Sequence, residues 1–396
     1  MINREQYLEQ IRPFMDKDII KVLTGMRRTG KSALLQLIQQ DLMNRGIVKD
    51  RILSINFESM EYAASDVTAI YRKVMDYAAN QTSRLYIFFD EIQEITAWEK
   101  LVNSLRVDLD CDIYITGSNS RLLAGELATY LAGRYIEIKV YPLSFLEISS
   151  VNKEKDDQLL FSEYIEKGGM PFIYANNLPV DEAIKYLRDI YSSIILKDVV
   201  SRHTIRDVDL LNRISYYVLF NVGNTFSGSN VEKYLKNEKR RISTETIYNY
   251  VSYLQEAFFI HMAKREDLLG KKILSTGEKI FAGDHGIREA LLGSNKRDIA
   301  QILENIVYIE LLRRGYDVTV GKDEVREVDF IARKGGKKTY FQVAYLLAEE
   351  STVEREFAPL QNIHDNYPKY VLSLDPISQN REGIINRNII EFLKSE

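Results

Sequence analysis

Gly25, Gly30, Lys31 and Ser32 fall in the spacing GxxxxGKS, after the apolar run "IIKVLTG" (19–25) and before apolar residues of helical period. Glycines in such a loop let successive backbone N–H groups turn inward around phosphate oxygens, and the N-terminus of the following helix favours an anion. The run Gly25, Met26, Arg27, Arg28, Thr29, Gly30, Lys31, Ser32 and Ala33 is therefore expected to cradle ATP. Lys31 is expected on the β- and γ-phosphates, and the Ser32 hydroxyl on Mg²⁺. Spacing gives Arg27 and Arg28 no further role.

Asp90 and Glu91 end a second apolar run, "LYIFFD" (85–90). A buried strand that stops at two acids places Asp90 beside the metal ion and Glu91 where a carboxylate orients and deprotonates the attacking water. A third run, "DIYITG" (112–117), leads into Ser118 and Asn119. Small polar groups at a strand's carboxyl end face the ligand crevice of an open α/β sheet, so Asn119 is a catalytic candidate, with an ordinary Gly-Ser-Asn turn as the alternative.

Five apolar runs must hold these groups in place: 19–25, "RILSINF" (51–57), 85–90, 112–117 and "YIEIKV" (135–140). Their alternation with amphipathic stretches predicts a parallel sheet with crossover helices. Leu34, Leu35, Ile38 and Leu42, followed by Gly46, predict a helix over 31–45. The chain has 396 residues, enough for two to four domains, and a net charge of -4, which excludes a globally basic nucleic-acid coat protein. Cys111 is the one cysteine, so no internal disulfide forms. Neither a signal peptide nor a bilayer-spanning run is visible, and a cytoplasmic protein without membrane attachment is expected.

The order of phosphate loop, acidic strand end and polar strand end resembles the AAA+ ATPases. The phrase "SNSRLLAGELATYLAGRYIEIKVYPLSFLE" is similar to the bacterial and archaeal AAA-type family that carries a C-terminal domain of unknown function. The resemblance runs through most of the chain, including "LNRISYYVLFNVGNTFS", "FAGDHGIREALLG" and "ENIVYIELLRRGYDV". It implies that Arg134, or failing it Arg121, is an arginine finger supplied to a neighbouring copy in a homo-oligomer. It also implies that Gly169 and Pro171, in "YIEKGGMPFIYA", match a lid motif packing on adenine, although a plain helix break fits those residues equally well.

Downstream, Ile247, Tyr250, Val251, Leu254 and Phe258 form an apolar stripe behind the cap residues Ser243 or Thr244, and two strands follow with Lys264, Arg265, Lys271 and Lys272 near their turn. Helix, helix and basic hairpin suggest a winged helix that contacts DNA, with "EKRR" meeting phosphates. In the last hundred residues Glu304, Asp329 and Gln342 resemble the outline of a restriction-endonuclease-like fold, with Asp329 and Gln342 at its metal positions. Ala344 stands where an active enzyme would carry lysine, so an inactive domain is expected unless Lys337 or Lys338 substitutes.

The expected organisation is α/β: an AAA+ P-loop core (1–150), a helical lid (151–204), a winged helix (205–295) and a nuclease-like α/β domain (296–396). The expected activity is Mg²⁺-dependent ATP hydrolysis driving a switch or machine associated with DNA. An ATP-regulated nuclease and a protein-interaction switch without nucleic acid are the alternatives.

Overall fold

The computed structural model describes residues 2–62, 65–120, 131, 133–237, 242–268, 273–293, 298–322 and 326–395, without the side chains of 273–276. Arg121, the basic run 238–241, Lys271 and Lys272 lie outside the described residues. The chain divides into two compact units, Met1–Val140 with Glu256–Phe258, and Tyr141–Gln255 with Phe259–Glu396.

In the first unit, strands β1 (Ile20–Thr24), β2 (Ile52–Asn56), β3 (Leu85–Asp90), β4 (Cys111–Gly117) and β5 (Tyr135–Lys139) form a parallel sheet in the order β2-β3-β4-β1-β5. The three inner strands are buried at every residue, as strands covered on both faces must be, whereas the two edge strands are half-exposed. Side-chain alternation splits β3 between two cores. Ile87 and Phe89 meet Ile70 and Val74 of helix α3 (Val67–Ala78) and Leu101, Val102 and Leu105 of helix α4 (Trp98–Asp108). Tyr86 and Phe88 meet the opposite layer, formed by Tyr7, Leu8 and Ile11 of α1 (Glu5–Ile11) and by Leu34, Leu35, Ile38 and Leu42 of α2 (Lys31–Asn44). Each such side chain, fully buried, contributes about 1.5–3 kcal/mol.

Helix α2 stops where Gly46, at φ 93°, turns its amide back to the Met43 carbonyl, and Ile47 donates to Leu42. Lys21 and Asp112, both fully buried, pair beneath the sheet, and the Tyr114 hydroxyl donates to the same carboxylate at 2.8 Å. Burial lowers the Lys21 pKa, with Asp112 opposing that shift.

The second unit opens with helices Phe145–Val151 and Asp157–Lys167. A reciprocal capping box joins Ser144 and Glu147, and Asp156 accepts from the amides of Gln158 and Leu159. Pro171 is the first residue of the short helix Pro171–Ala175, where its missing N–H costs nothing. Helix Val180–Ser193 runs on into a π-helical stretch, Ile194–Val200. Helices Val208–Phe220, Gly228–Asn237 and Thr244–Glu256 follow.

Strands β6 (Ile260–Asp267), β7 (Ile273–Ala282), β8 (Asp317–Lys322), β9 (Glu327–Lys334), β10 (Lys337–Val343), β11 (Lys369–Ser373) and β12 (Ile385–Asn388) make one mixed sheet, ordered β12-β11-β10-β9-β8-β6-β7. The hairpin read as the wing of a separate domain is the edge of this larger sheet, because β6 pairs in parallel with β8 through Arg265–Val320, Glu266–Gly321 and Asp267–Lys322. Helix Ile299–Arg313, between β7 and β8, is long enough for the crossover that a parallel pair needs.

Candidate nucleotide site

Gly25 leaves β1 at φ 149°, and a Cβ there would fall 2.2 Å from the Val140 carbonyl oxygen, so the loop passes the end of β5 at a distance only glycine allows. Arg28 at φ 69° and Gly30 at φ 94° complete the turn. Three bonds brace its inner side: Thr29 Oγ1 to the Met26 carbonyl (2.9 Å), Arg4 Nη1 to the Thr29 carbonyl (3.0 Å) and Arg27 Nη1 to Glu58 Oε1 (3.2 Å). Arg27 is buried and Arg28 exposed, so the two loop arginines differ in role. Gly30 caps α2 without a side-chain bond, and a helix head of this kind favours an anion.

Lys31 is buried, its ammonium donating to the carbonyls of Gly25 (3.0 Å) and Met26 (3.1 Å) and lying 3.8 Å from Glu91 Oε1. Across the mouth, Asp90 Oδ1 accepts from the Thr116 hydroxyl at 2.6 Å, and Oδ2 accepts from Asn56 Nδ2 at 3.2 Å. Burial raises the Asp90 pKa, while hydrogen bonds from Thr116 and Ser32 pull it back toward the ionised form. The Glu91 amide donates to Thr116 Oγ1 at 2.9 Å, and Glu91 sits at φ 52°, a strained conformation that turns the chain sharply off β3. Ser118 and Asn119 are buried just beyond β4.

Lys31, Ser32, Asp90 and Glu91 are thus linked by direct contacts at the carboxyl ends of β1 and β3. These residues fit a magnesium nucleotide: a loop closed to side chains at Gly25, an uncapped helix head, an ammonium, and a hydroxyl bonded to a carboxylate. Mg²⁺ takes one or two such oxygens and completes its shell with phosphate and water.

Arg134 is not brought to them. Its carbonyl accepts from the Ile20 amide at 2.9 Å, at the far end of β1, so it stands about 16 Å along the strand from the loop. Its side chain is exposed. Pro171 belongs to the second unit. The glycines before it have structural neighbours of their own: the Gly169 carbonyl accepts from Leu143 at 2.7 Å, and the Gly169 amide donates to Asp284 Oδ2 at 2.8 Å. Sequence reasoning missed Thr116, Asn56 and Arg4. Asn56 ends the half-exposed edge strand β2 and Thr116 lies inside the buried run of β4, so nothing in the local pattern set either apart.

A family model described as an AAA domain matches residues 17–149, and one described as a domain of unknown function (DUF8612) matches residues 158–298. The chain is 41% identical over 378 residues to an uncharacterized protein of Haemophilus influenzae, covering 94% of this chain and 93% of that one. It is 32% identical over 382 residues to an uncharacterized protein of Methanocaldococcus jannaschii, covering 92% and 83%. Among solved structures, the Aeropyrum pernix Orc1 protein in complex with DNA aligns with 74% of this chain and 92% of its own at 12% identity and TM-score 0.35. Cdc6p from Pyrobaculum aerophilum aligns with 77% and 93% at 13% identity and TM-score 0.30. A P-loop five-stranded sheet, a matching AAA domain and relatives spanning nearly the whole length place the chain in the AAA+ family of ATP-binding proteins with a distinct C-terminal domain.

Proposed function

We propose that the first unit hydrolyses ATP to ADP and phosphate, and that the protein works as a nucleotide-dependent switch. The observation carrying this is the contact set Lys31–Glu91 and Ser32–Asp90–Thr116 at the head of α2. Lys31 and the amides at the head of α2 hold the phosphates. Ser32 and Asp90 would hold Mg²⁺, which would supply positive charge to the phosphates. Glu91 orients the attacking water and takes its proton, and Asn119 bonds the γ-phosphate or that water. Arg134, remote from its own loop, serves the site of a neighbouring copy in a homo-oligomer. Phosphate release from ATP tests this: Glu91→Gln is expected to bind ATP normally and to lose about 10²–10⁴-fold in turnover. Unchanged turnover would remove Glu91 from the mechanism.

DNA is the proposed partner of the second unit, through the exposed face of helix Thr244–Glu256, where Tyr248 is 53% exposed. The domains are best taken as core, lid and a C-terminal unit into which the wing hairpin is built.

A nuclease is the weaker reading, because the carboxylates that would face its metal ion are paired with a lysine from β7. Lys279 lies 3.2 Å from Glu304, 2.6 Å from Glu327 and 3.6 Å from Asp329, and supplies internally the positive charge those carboxylates need. Among the described residues no group of three or more His, Cys, Asp and Glu is arranged to hold a metal ion. No helix among them is long and apolar enough to cross a membrane.

A further inference from the structure

The turn "RKGGKK" (333–338) carries four cations around two glycines. In the β9–β10 register Lys337 faces Lys334 and Lys338 faces Arg333, so two pairs of like charges stand directly opposite each other, an arrangement that weakens a hairpin unless something neutralises it. The fold neutralises only part of it. Arg333 Nη2 donates to Glu266 Oε1 at 2.6 Å, and Lys334 donates to the Arg314 carbonyl. Lys338 lies 5.4 and 5.5 Å from the ring centres of Tyr340 and Tyr367, with the Tyr340 hydroxyl at 3.2 Å. Lys337 is exposed and has no ion-pair partner among the described residues.

These groups border a cavity of about 900 Å³ above β8, β9 and β10, walled on its far side by Pro359, Ile363, His364 and Tyr367. Its remaining acids are largely engaged: Glu266 by Arg333, and Asp365 by the Tyr340 hydroxyl at 2.6 Å, with Lys369 3.6 Å away. Asp317 lies exposed at the rim. Tyr367 is 42% exposed, so its ring is open to a ligand in the cavity. Gly335 and Gly336, at φ 57° and 76°, have nothing within 4 Å of an added Cβ, so the turn's backbone stands clear for close approach.

Strand alternation gives the trough a polarity. Glu327, Asp329, Ile331 and Arg333 share one face of β9, and Lys338, Tyr340 and Gln342 share one face of β10. The acid cluster around Lys279 therefore lies at one end of this face and the lysine turn at the other.

We infer that this lysine–tyrosine cavity binds single-stranded nucleic acid, with phosphates against Lys337 and Lys338 and a base on Tyr367. Lysines alone would fit any polyanion. The exposed Tyr367 ring selects a chain whose bases are unstacked, which neither a duplex nor an acidic peptide offers. The site differs from the helix expected to read DNA and does not depend on ATP hydrolysis.

The test is fluorescence anisotropy of the full chain, without nucleotide, with a labelled oligothymidylate of about twelve nucleotides at about 50 and 200 mM salt. Expected is salt-sensitive binding that the Lys337→Glu/Lys338→Glu chain weakens at least about tenfold, with a salt slope shallower by about 1–2. Tyr367→Ala is expected to weaken it about fivefold or more with the slope unchanged. Lys31→Ala should bind as the parent does, which separates this site from the ATPase reading, and circular dichroism melts confirm that each variant is folded. Parent-like binding by the double lysine variant overturns the inference. So does a duplex or polyglutamate that binds as tightly while Tyr367→Ala is neutral.

Discussion

The carboxylate of Asp284 accepts the amide of Gly169 at 2.8 Å while its other oxygen accepts the amide of Ile287 at 3.1 Å, tying two distant sequence phrases, "KGGMP" and "GDHG", into one knot. The backbones touch as well: a Cβ on Gly286 would fall 2.5 Å from both the Gly168 nitrogen and the Lys167 carbonyl oxygen. His285 bonds the Tyr164 carbonyl at 2.8 Å, and the Tyr174 hydroxyl donates to Gly168 at 2.7 Å. Burial raises the Asp284 pKa, opposed by His285 and by the backbone amides that bind the carboxylate.

Gly286→Ala should therefore be severe, since the obstructing atoms are backbone and cannot swing aside. A loss of at least about 3 kcal/mol is expected, read as a large drop in the midpoint of thermal unfolding. A melt matching the parent would mean that these two strands of backbone are not so close.

Lys31→Ala should remove the ammonium and leave α2 intact, because the helix is anchored by Leu34, Leu35, Ile38 and Leu42. ATP affinity measured by calorimetry is expected to fall about a hundredfold, equal to about 2.7 kcal/mol. Gly25→Ala should lose affinity and stability together, as its Cβ meets the Val140 carbonyl. Equal affinities across parent and both variants would sink the phosphate-loop assignment.

Around Lys279, burial and the neighbouring Asp329 charge push Glu304 up to about 8, against the pull of the ammonium. The sign follows from a folded pKa above the unfolded one: the contribution to stability is full below about 4.5 and is lost as pH rises toward about 8. Glu304→Gln should flatten that slope in urea unfolding. Lys279→Met, which strands the carboxylates, should cost about 3–5 kcal/mol, more at pH about 8.5 than at about 5.5. The same deficit at both pH values would show that the carboxylates do not feel the ammonium.

Arg134 predicts behaviour between chains. Mixing Arg134→Ala protein with Lys31→Ala protein should restore part of the phosphate release that each lacks, since one supplies an intact loop and the other an intact guanidinium. No recovery at any mixing ratio would confine the site to a single chain.

The first sheet was legible because buried parallel strands are near-continuous apolar runs: 19–25, 85–90 and 112–117 contain β1, β3 and β4, apart from Cys111 at the start of β4, and are broken chiefly by the paired Lys21 and Asp112. The phosphate loop was legible because its chemistry is local. Thr116 was not singled out, since a threonine inside "DIYITG" looks like any strand residue until its hydroxyl is seen bridging Asp90 and Glu91. Lys279 left no trace, being one cation in "GEKIFA" whose partners come from 25 to 50 residues away. The place of the β6–β7 hairpin was hidden for a related reason: a hairpin reads alike whether it stands free or edges a larger sheet.

That shared sheet bears on how the protein tolerates being cut. A product ending at 295 would keep β6 with its β8-facing side bare, and one starting at 296 would leave β8 equally uncovered. Each half would then present a ladder of unmet amides and carbonyls to its own copies. Severing the gene at that junction would yield insoluble fragments, whereas a joint expression of both pieces could let them reassemble along the same seam.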